Sequence, residues 1–120
     1  MPRINPSILI IDNDLPTLEL YRRELSIDYQ VLACLKEEEA LQLAESANIC
    51  AVVLEPAISG GSGWDLLPAL IDTFGDRHIP IILCSTQDEQ RRGIEEGAAA
   101  FLVKPVLPVQ LHEMIRKIVG

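Results

Sequence analysis

Short apolar runs alternate with longer stretches whose apolar residues recur every three or four positions, and this alternation predicts the elements. Ser7-Ile8-Leu9-Ile10-Ile11 does not alternate polar with apolar, so it predicts a strand buried on both faces. Leu15 to Leu25 follows with helical spacing: Leu18, Tyr21 and Leu25 share one face, Pro16 suits the first turn, and Asp14 is placed to cap it. Tyr29 to Cys34 reads as a second strand. Lys36 to Asn48 reads as a helix with Ala40, Leu43, Ala44 and Ala47 on one side and glutamates in its first turn, where the helix dipole favours them.

Ala51 to Leu54 is the third predicted strand, followed by a loop from Glu55 to Gly63. The third helix is expected to be capped by Asp65, with Pro68 at its third position, where a missing N–H costs nothing, and with Leu67, Leu70, Ile71 and Phe74 facing inward. Ile79 to Cys84 is the fourth strand, with Pro80 at its entrance. A polar helix runs from about Gln87 to Glu96 and stops at Gly97. Ala100 to Val103 is the fifth strand, and a last helix opens at Pro108 with Leu111, Met114, Ile115 and Ile118.

Five β-α units with near-continuous apolar strands predict a single α/β domain over residues 1–120. Its expected form is a three-layer doubly wound (βα)5 fold of the flavodoxin-like type, with a parallel sheet in the order 2-1-3-4-5. In such a sheet the loops leaving the strand C-termini line a ligand crevice, so Asp12-Asn13-Asp14, Glu55, Ser85-Thr86 and Lys104-Pro105 are expected to converge there.

Composition narrows the options. With 120 residues, 48% hydrophobic, the chain supports one core, and a net charge of −8 argues against its gripping nucleic acid itself. No stretch approaches a membrane span and no signal-peptide pattern opens the chain, so the cytoplasm is the expected compartment. Cys34, Cys50 and Cys84 lie in or beside apolar runs without metal-type spacing and are expected to be core thiols. His78 and His112 lack neighbours at ligand spacing and read as surface histidines.

Carboxylates at the ends of parallel strands suit a hard cation such as Mg²⁺, and a lysine near a hydroxyl suits a phosphoryl group. Asp12 and Lys104 each end an apolar strand directly. Ser59-Gly60-Gly61-Ser62-Gly63 lacks the spacing of a nucleotide-phosphate loop and reads as a flexible turn. Neither a dinucleotide glycine pattern nor a flavin phosphate loop follows the first strand, which discounts both ligands.

Nearly the whole chain resembles a response-regulator receiver domain, the CheY-like module of two-component signalling. Ile8 to Asp14 resembles the first strand and acidic cluster of that family, and Leu54-Glu55 through Gly60, Gly63 and Leu66-Leu67 has its phosphorylation-loop spacing. Ile79 to Ser85 resembles the strand that ends at the switch hydroxyl. Gly97 to Pro105 is the most specific stretch: the resemblance assigns Phe101 as the switch aromatic, Lys104 as the site lysine and Lys104-Pro105 as a cis peptide. It also implies protein partners: a histidine kinase, a phosphotransfer protein or an effector domain, with homodimerisation an option.

Two departures alter what the resemblance implies. Glu55 stands where the phosphoacceptor aspartate belongs, and Asn13 replaces the second acid of the cluster. A glutamate carboxylate stands one methylene further out, which is costly for a reaction that depends on in-line positioning. Asp12, Asn13 and Glu55 bring two negative charges where three are usual, so Mg²⁺ is expected to bind weakly or not at all, with no cofactor required and Asp14 poorly directed to compensate.

The expected function is therefore a non-enzymatic, atypical receiver that docks a protein partner, with Glu55 either reaching toward Lys104 and Ser85 as a partial phosphate substitute or only keeping a fold-stabilising ion pair with Lys104 in a passive scaffold. The alternative is a working phosphoacceptor fed by a histidine kinase with Mg²⁺; a flavodoxin-like small-molecule binder is the third option. The fourth helix is expected to be about one turn shorter than in most receivers, loosely docked and mobile, with Ile94 as its one large apolar residue and Gly93 weakening it by roughly 1 kcal/mol.

Overall fold

The computed structural model describes residues 6–58 and 61–120. Ten principal elements alternate along the chain: β1 (Ser7–Ile11), α1 (Leu15–Leu25), β2 (Gln30–Cys34), α2 (Glu37–Ser46), β3 (Ile49–Leu54), α3 (Gly63–Phe74), β4 (Ile81–Ser85), α4 (Gln90–Glu95), β5 (Ala100–Val103) and α5 (Pro108–Val119), with a short 3-10 turn at Gly75–Arg77. All strand pairs are parallel, in the order β2-β1-β3-β4-β5.

The strands are apolar throughout because they serve two cores at once. Successive side chains point to opposite faces. Leu9, Ile11, Val52, Leu54, Ile81 and Leu83 pack with Ala40, Ala44, Leu67, Leu70 and Phe74 from α2 and α3. Ile8, Ile10, Val53, Ile82 and Cys84 pack with Leu18, Tyr21, Leu25, Leu111 and Ile115 from α1 and α5. Complete burial of one such Leu or Ile side chain contributes about 1.5–3 kcal/mol.

Several local expectations change. Asp14 occupies the N-cap position of α1, but its carboxylate bonds the Thr17 hydroxyl rather than a backbone N–H. The cap of α3 is Ser62, not Asp65, so the helix starts earlier and Pro68 lies inside it on the exposed side. The cause is tertiary: a Cβ on Gly63 would stand 2.6 Å from Pro56 Cα and 2.8 Å from the Glu55 carbonyl oxygen. Only a glycine lets α3 begin against that turn, so this part of the glycine-rich stretch is a close-approach site. Gly61, at φ +109°, supplies the turn itself. Ile71 is exposed, and Leu66 takes its place on the inner face.

α4 is shorter than expected, with six residues. Ile94 is 47% exposed and anchors little. The contact with the sheet is made instead at Gly93, where a Cβ would lie 2.8 Å from Phe101 Cδ2 and 2.9 Å from Leu83 Cδ1. Glycine lowers the intrinsic helix propensity, but here its missing side chain is what lets the helix lie close to the strands.

The histidines divide. His78 is exposed, whereas His112 is 4% exposed, which corrects its reading as a surface residue. Its Nδ1 lies 2.7 Å from Glu24 Oε2 and its Nε2 lies 2.6 Å from Asp28 Oδ2. Arg116 Nη2 also bonds Asp28, at 3.1 Å, and with His112 lowers the Asp28 pKa below the usual carboxylate value. This cluster joins α5 to the end of α1 and the turn after it. Cys34 and Cys84 are buried and Cys50 is half-buried, all as free thiols. Among the described residues no helix is long and apolar enough to cross a membrane.

Candidate functional site

Three strand ends deliver the charged groups to one crevice. Asp12 follows β1, Glu55 follows β3 and Lys104 follows β5, with Ser85 closing β4 between them. Each strand is held in register by its neighbours, so the residues that leave the sheet are placed by the backbone ladder. Asp12 N–H bonds the Cys34 carbonyl and Glu55 N–H bonds the Ile11 carbonyl, which fixes both carboxylates at the rim.

Lys104 is the hub. Its Nζ donates to Asp12 Oδ2 at 2.8 Å and to Glu55 Oε1 at 3.0 Å. Side-chain exposure is 12% for Lys104, 4% for Asp12 and 9% for Glu55, so all three charges are largely withdrawn from water. Burial works against the lysine's charge, but the hydrogen bonds to Asp12 and then Glu55 outweigh it, and the Lys104 pKa rises above the ordinary lysine value.

The remaining carboxylate oxygens are also engaged. Asp12 Oδ1 accepts the Asp14 N–H at 3.0 Å, and Glu55 Oε2 accepts the Ala57 N–H at 3.1 Å. The second bond folds the Glu55 side chain back over its own turn. Asn13 and Asp14 are exposed, and the Asp14 carboxylate is turned to Thr17. Among the described residues no group of three His, Cys, Asp or Glu side chains gathers as a metal cluster would.

The expected reach of Glu55 is half realised. It meets Lys104, while the buried Ser85 hydroxyl accepts the Gln87 N–H at 3.2 Å instead. Phe101 is buried beneath α4 at 7% exposure. Lys104-Pro105 is a cis peptide, as the resemblance implied. The phosphorylation-loop spacing falls partly on Gly60, which lies with Ser59 outside the described residues.

Beneath the crevice, Tyr21 donates to the Val106 carbonyl at 3.3 Å, and burial pushes its pKa up to about 12. On the opposite face of the sheet, Trp64 in the first turn of α3 carries the Arg92 guanidinium 3.9 Å from its ring centroid. Sequence reading missed this stack and the His112 cluster. In both, the partners belong to different elements, and no local spacing reports them.

The geometry is therefore that of a sheet-end acidic pocket facing a lysine. The family model described as response regulator receiver domain matches residues 8–116. The two-component response regulator ORR3 of Oryza sativa subsp. indica is 27% identical over 124 residues, covering 99% of this chain and 95% of that protein. The non-phosphorylated HemR receiver domain from Leptospira biflexa superposes with a TM-score of 0.83 at 25% identity, covering 96% of this chain and 94% of that one. A CheY-like receiver domain protein from Methanospirillum hungatei JF-1 gives a TM-score of 0.85 at 22% identity, a likeness of fold covering 96% of this chain and 94% of that one. With the strand order, the strand-end pocket and a family match spanning nearly the full domain in agreement, the chain belongs to the response regulator receiver domain family, the non-catalytic signalling modules of two-component systems.

Proposed function

We propose that this receiver signals by docking a protein partner without an aspartyl phosphate, its crevice being held by Glu55 as a partial phosphate substitute. One observation carries the reading: Glu55 occupies the position after β3 and already engages the Lys104 ammonium at 3.0 Å. Asp12 shares that ammonium. The phosphoacceptor position and the lysine that would meet a phosphoryl oxygen are thus joined by a side chain.

The same arrangement is a poor fit for Mg²⁺. Both oxygens of Asp12 and both oxygens of Glu55 have protein donors, and the third position of the acidic set is the neutral, exposed Asn13. A cation would have to share two buried carboxylates with the Lys104 ammonium, whose charge repels it.

Magnitudes set the strength of the substitution. A phosphoryl group brings nearly two negative charges and three acceptor oxygens; glutamate brings one charge and two oxygens. Driving a switch from 1:99 to 99:1 takes about 5.5 kcal/mol of differential interaction. A surface pair would supply about 0–1 kcal/mol. The Glu55–Lys104 pair is shielded and its attraction is larger, but desolvation of both charges offsets much of the gain. Glu55 therefore tilts a balanced switch and does not lock an unbalanced one. A histidine kinase, a phosphotransfer protein, an effector domain or a second copy are the partner classes such a module serves.

The deciding experiment is incubation with a small-molecule phosphodonor and Mg²⁺, read by intact mass. The expected result is no adduct. A stable gain of about 80 Da, one phosphoryl group, located on Glu55 would overturn the reading in favour of a working phosphoacceptor.

A further inference from the structure

Trp64 is the molecule's single tryptophan, and it stands between the Glu55 turn and α4. On one side its neighbour Gly63 lies against the Glu55 carbonyl and Pro56, close enough that a Cβ would overlap both. The first turn of α3 is therefore in direct contact with that turn. The turn itself is pinned by Glu55, through Lys104 at one oxygen and the Ala57 N–H at the other.

On the other side the Arg92 guanidinium covers the Trp64 ring. Its orientation is set by Glu96 at 2.8 Å and Glu89 at 3.9 Å on the same segment. The next residue, Gly93, seats α4 on Phe101 and Leu83. A six-residue helix has no stability of its own, so tertiary contacts decide where α4 sits. With Ile94 exposed, the Gly93 seat and the Arg92–Trp64 stack are among those contacts.

We propose that the Trp64–Arg92 stack is a coupling device through which the state of the Glu55 turn sets the position of α4. The sequence of contacts is Glu55 turn, Gly63, Trp64, Arg92, Gly93, Phe101. The proposal stands apart from the phosphate-substitute reading. It requires only that the turn at 55–57 moves when the bonds of Glu55 are cut, whatever role Glu55 plays in signalling.

The test is a double-mutant cycle on the full chain, with Glu55→Ala and Arg92→Ala singly and together, each verified by circular dichroism and cooperative unfolding. Two readouts are taken: emission of Trp64, which no other tryptophan obscures, and amide exchange of Gln90–Glu95. Glu55→Ala is expected to shift the emission and to speed exchange across α4. In the Arg92→Ala background the exchange response to Glu55→Ala should shrink by about threefold, the scale of a partly exposed cation–π contact. Arg92→Lys, which keeps the charge without the planar face, should uncouple the two in the same way and serves if Arg92→Ala does not fold. An α4 response of the same size with and without the guanidinium, or no α4 response to Glu55→Ala in either background, overturns the proposal. A phosphoryl adduct on Glu55 would leave it standing.

Discussion

Glu55 reaches across the end of β4 to Lys104, a 3.0 Å contact between side chains that leave β3 and β5. Asp12 approaches the same ammonium from β1 at 2.8 Å. One positive charge therefore separates two buried negative ones, and the lysine is the member the other two depend on.

Removing that lysine should be the costliest single change in the crevice. Lys104→Met leaves Asp12 and Glu55 facing each other without a counter-charge, and breaking a buried pair by deleting one partner costs about 3–5 kcal/mol. Urea unfolding at neutral pH measures the loss. The double variant Lys104→Met with Glu55→Gln should recover part of it, because one of the two stranded charges is gone. If the double variant were no more stable than Lys104→Met alone, the carboxylates would not be repelling each other.

The alkaline limb of stability follows from the same lysine. Its folded pKa lies above its unfolded one, so its contribution is complete below the unfolded value, about 10.4, and fades as pH rises through the folded value. Tyr21 acts with the same sign: burial pushes its folded pKa up to about 12, so the folded state favours the neutral phenol and loses that advantage only as pH rises past the unfolded value. Neither group should make stability depend on pH near neutrality. In Lys104→Met the alkaline decline should weaken, and urea midpoints measured across the alkaline range in both proteins check it.

On the proposed reading, phosphoryl acceptance should follow from changing Glu55 and Asn13 together. Glu55→Asp shortens the side chain by one methylene, and Asn13→Asp adds an acid to the cluster. Each variant alone repairs half of the site, the nucleophile's reach or the metal's charge. The pair is expected to label with a phosphodonor and Mg²⁺ faster than either single variant. Equal rates for all three would remove the two-defect account.

Much of the crevice could be read from the chain because Asp12, Glu55 and Lys104 each directly end an apolar run, and a parallel sheet brings strand ends together. The start of α3 could not. Pro68 suggested a late start at Asp65, whereas the helix begins where Gly63 can approach Pro56, a contact set by tertiary packing. Gly93 misled for the same reason: its propensity cost is local, and its benefit lies across the fold on Phe101 and Leu83. His112 has its carboxylate partners 88 and 84 positions away, so no periodicity could have paired them.

The thiols should react in the order of their surroundings. Burial pushes Cys34 and Cys84 up to about 12, so at pH near 8 almost no thiolate is present at either, and access is closed as well. Cys50 is half-buried, and burial raises its pKa too. Native protein treated with a chromogenic disulfide reagent should therefore modify Cys50 first and slowly, with the other two thiols appearing only on unfolding. Peptide mapping of the first modified site checks the order.

His112 is expected to behave as a staple between α5 and the end of α1. Both its ring nitrogens face carboxylate oxygens, and both contacts are donor bonds when the ring carries two protons. A hydrogen bond between the ring and an enclosed carboxylate contributes about 1.5–3 kcal/mol, a figure that concerns Glu24 and not the exposed Asp28. Asp28 is 43% exposed at its side chain and can turn to water or to Arg116, whereas Glu24, at 24%, is more enclosed. His112→Ala should therefore lose stability mainly through Glu24. In the His112→Ala background Glu24→Gln should be nearly silent. A Glu24→Gln cost that persists without the histidine would mean that packing rather than the His112–Glu24 hydrogen bond holds α5 against α1.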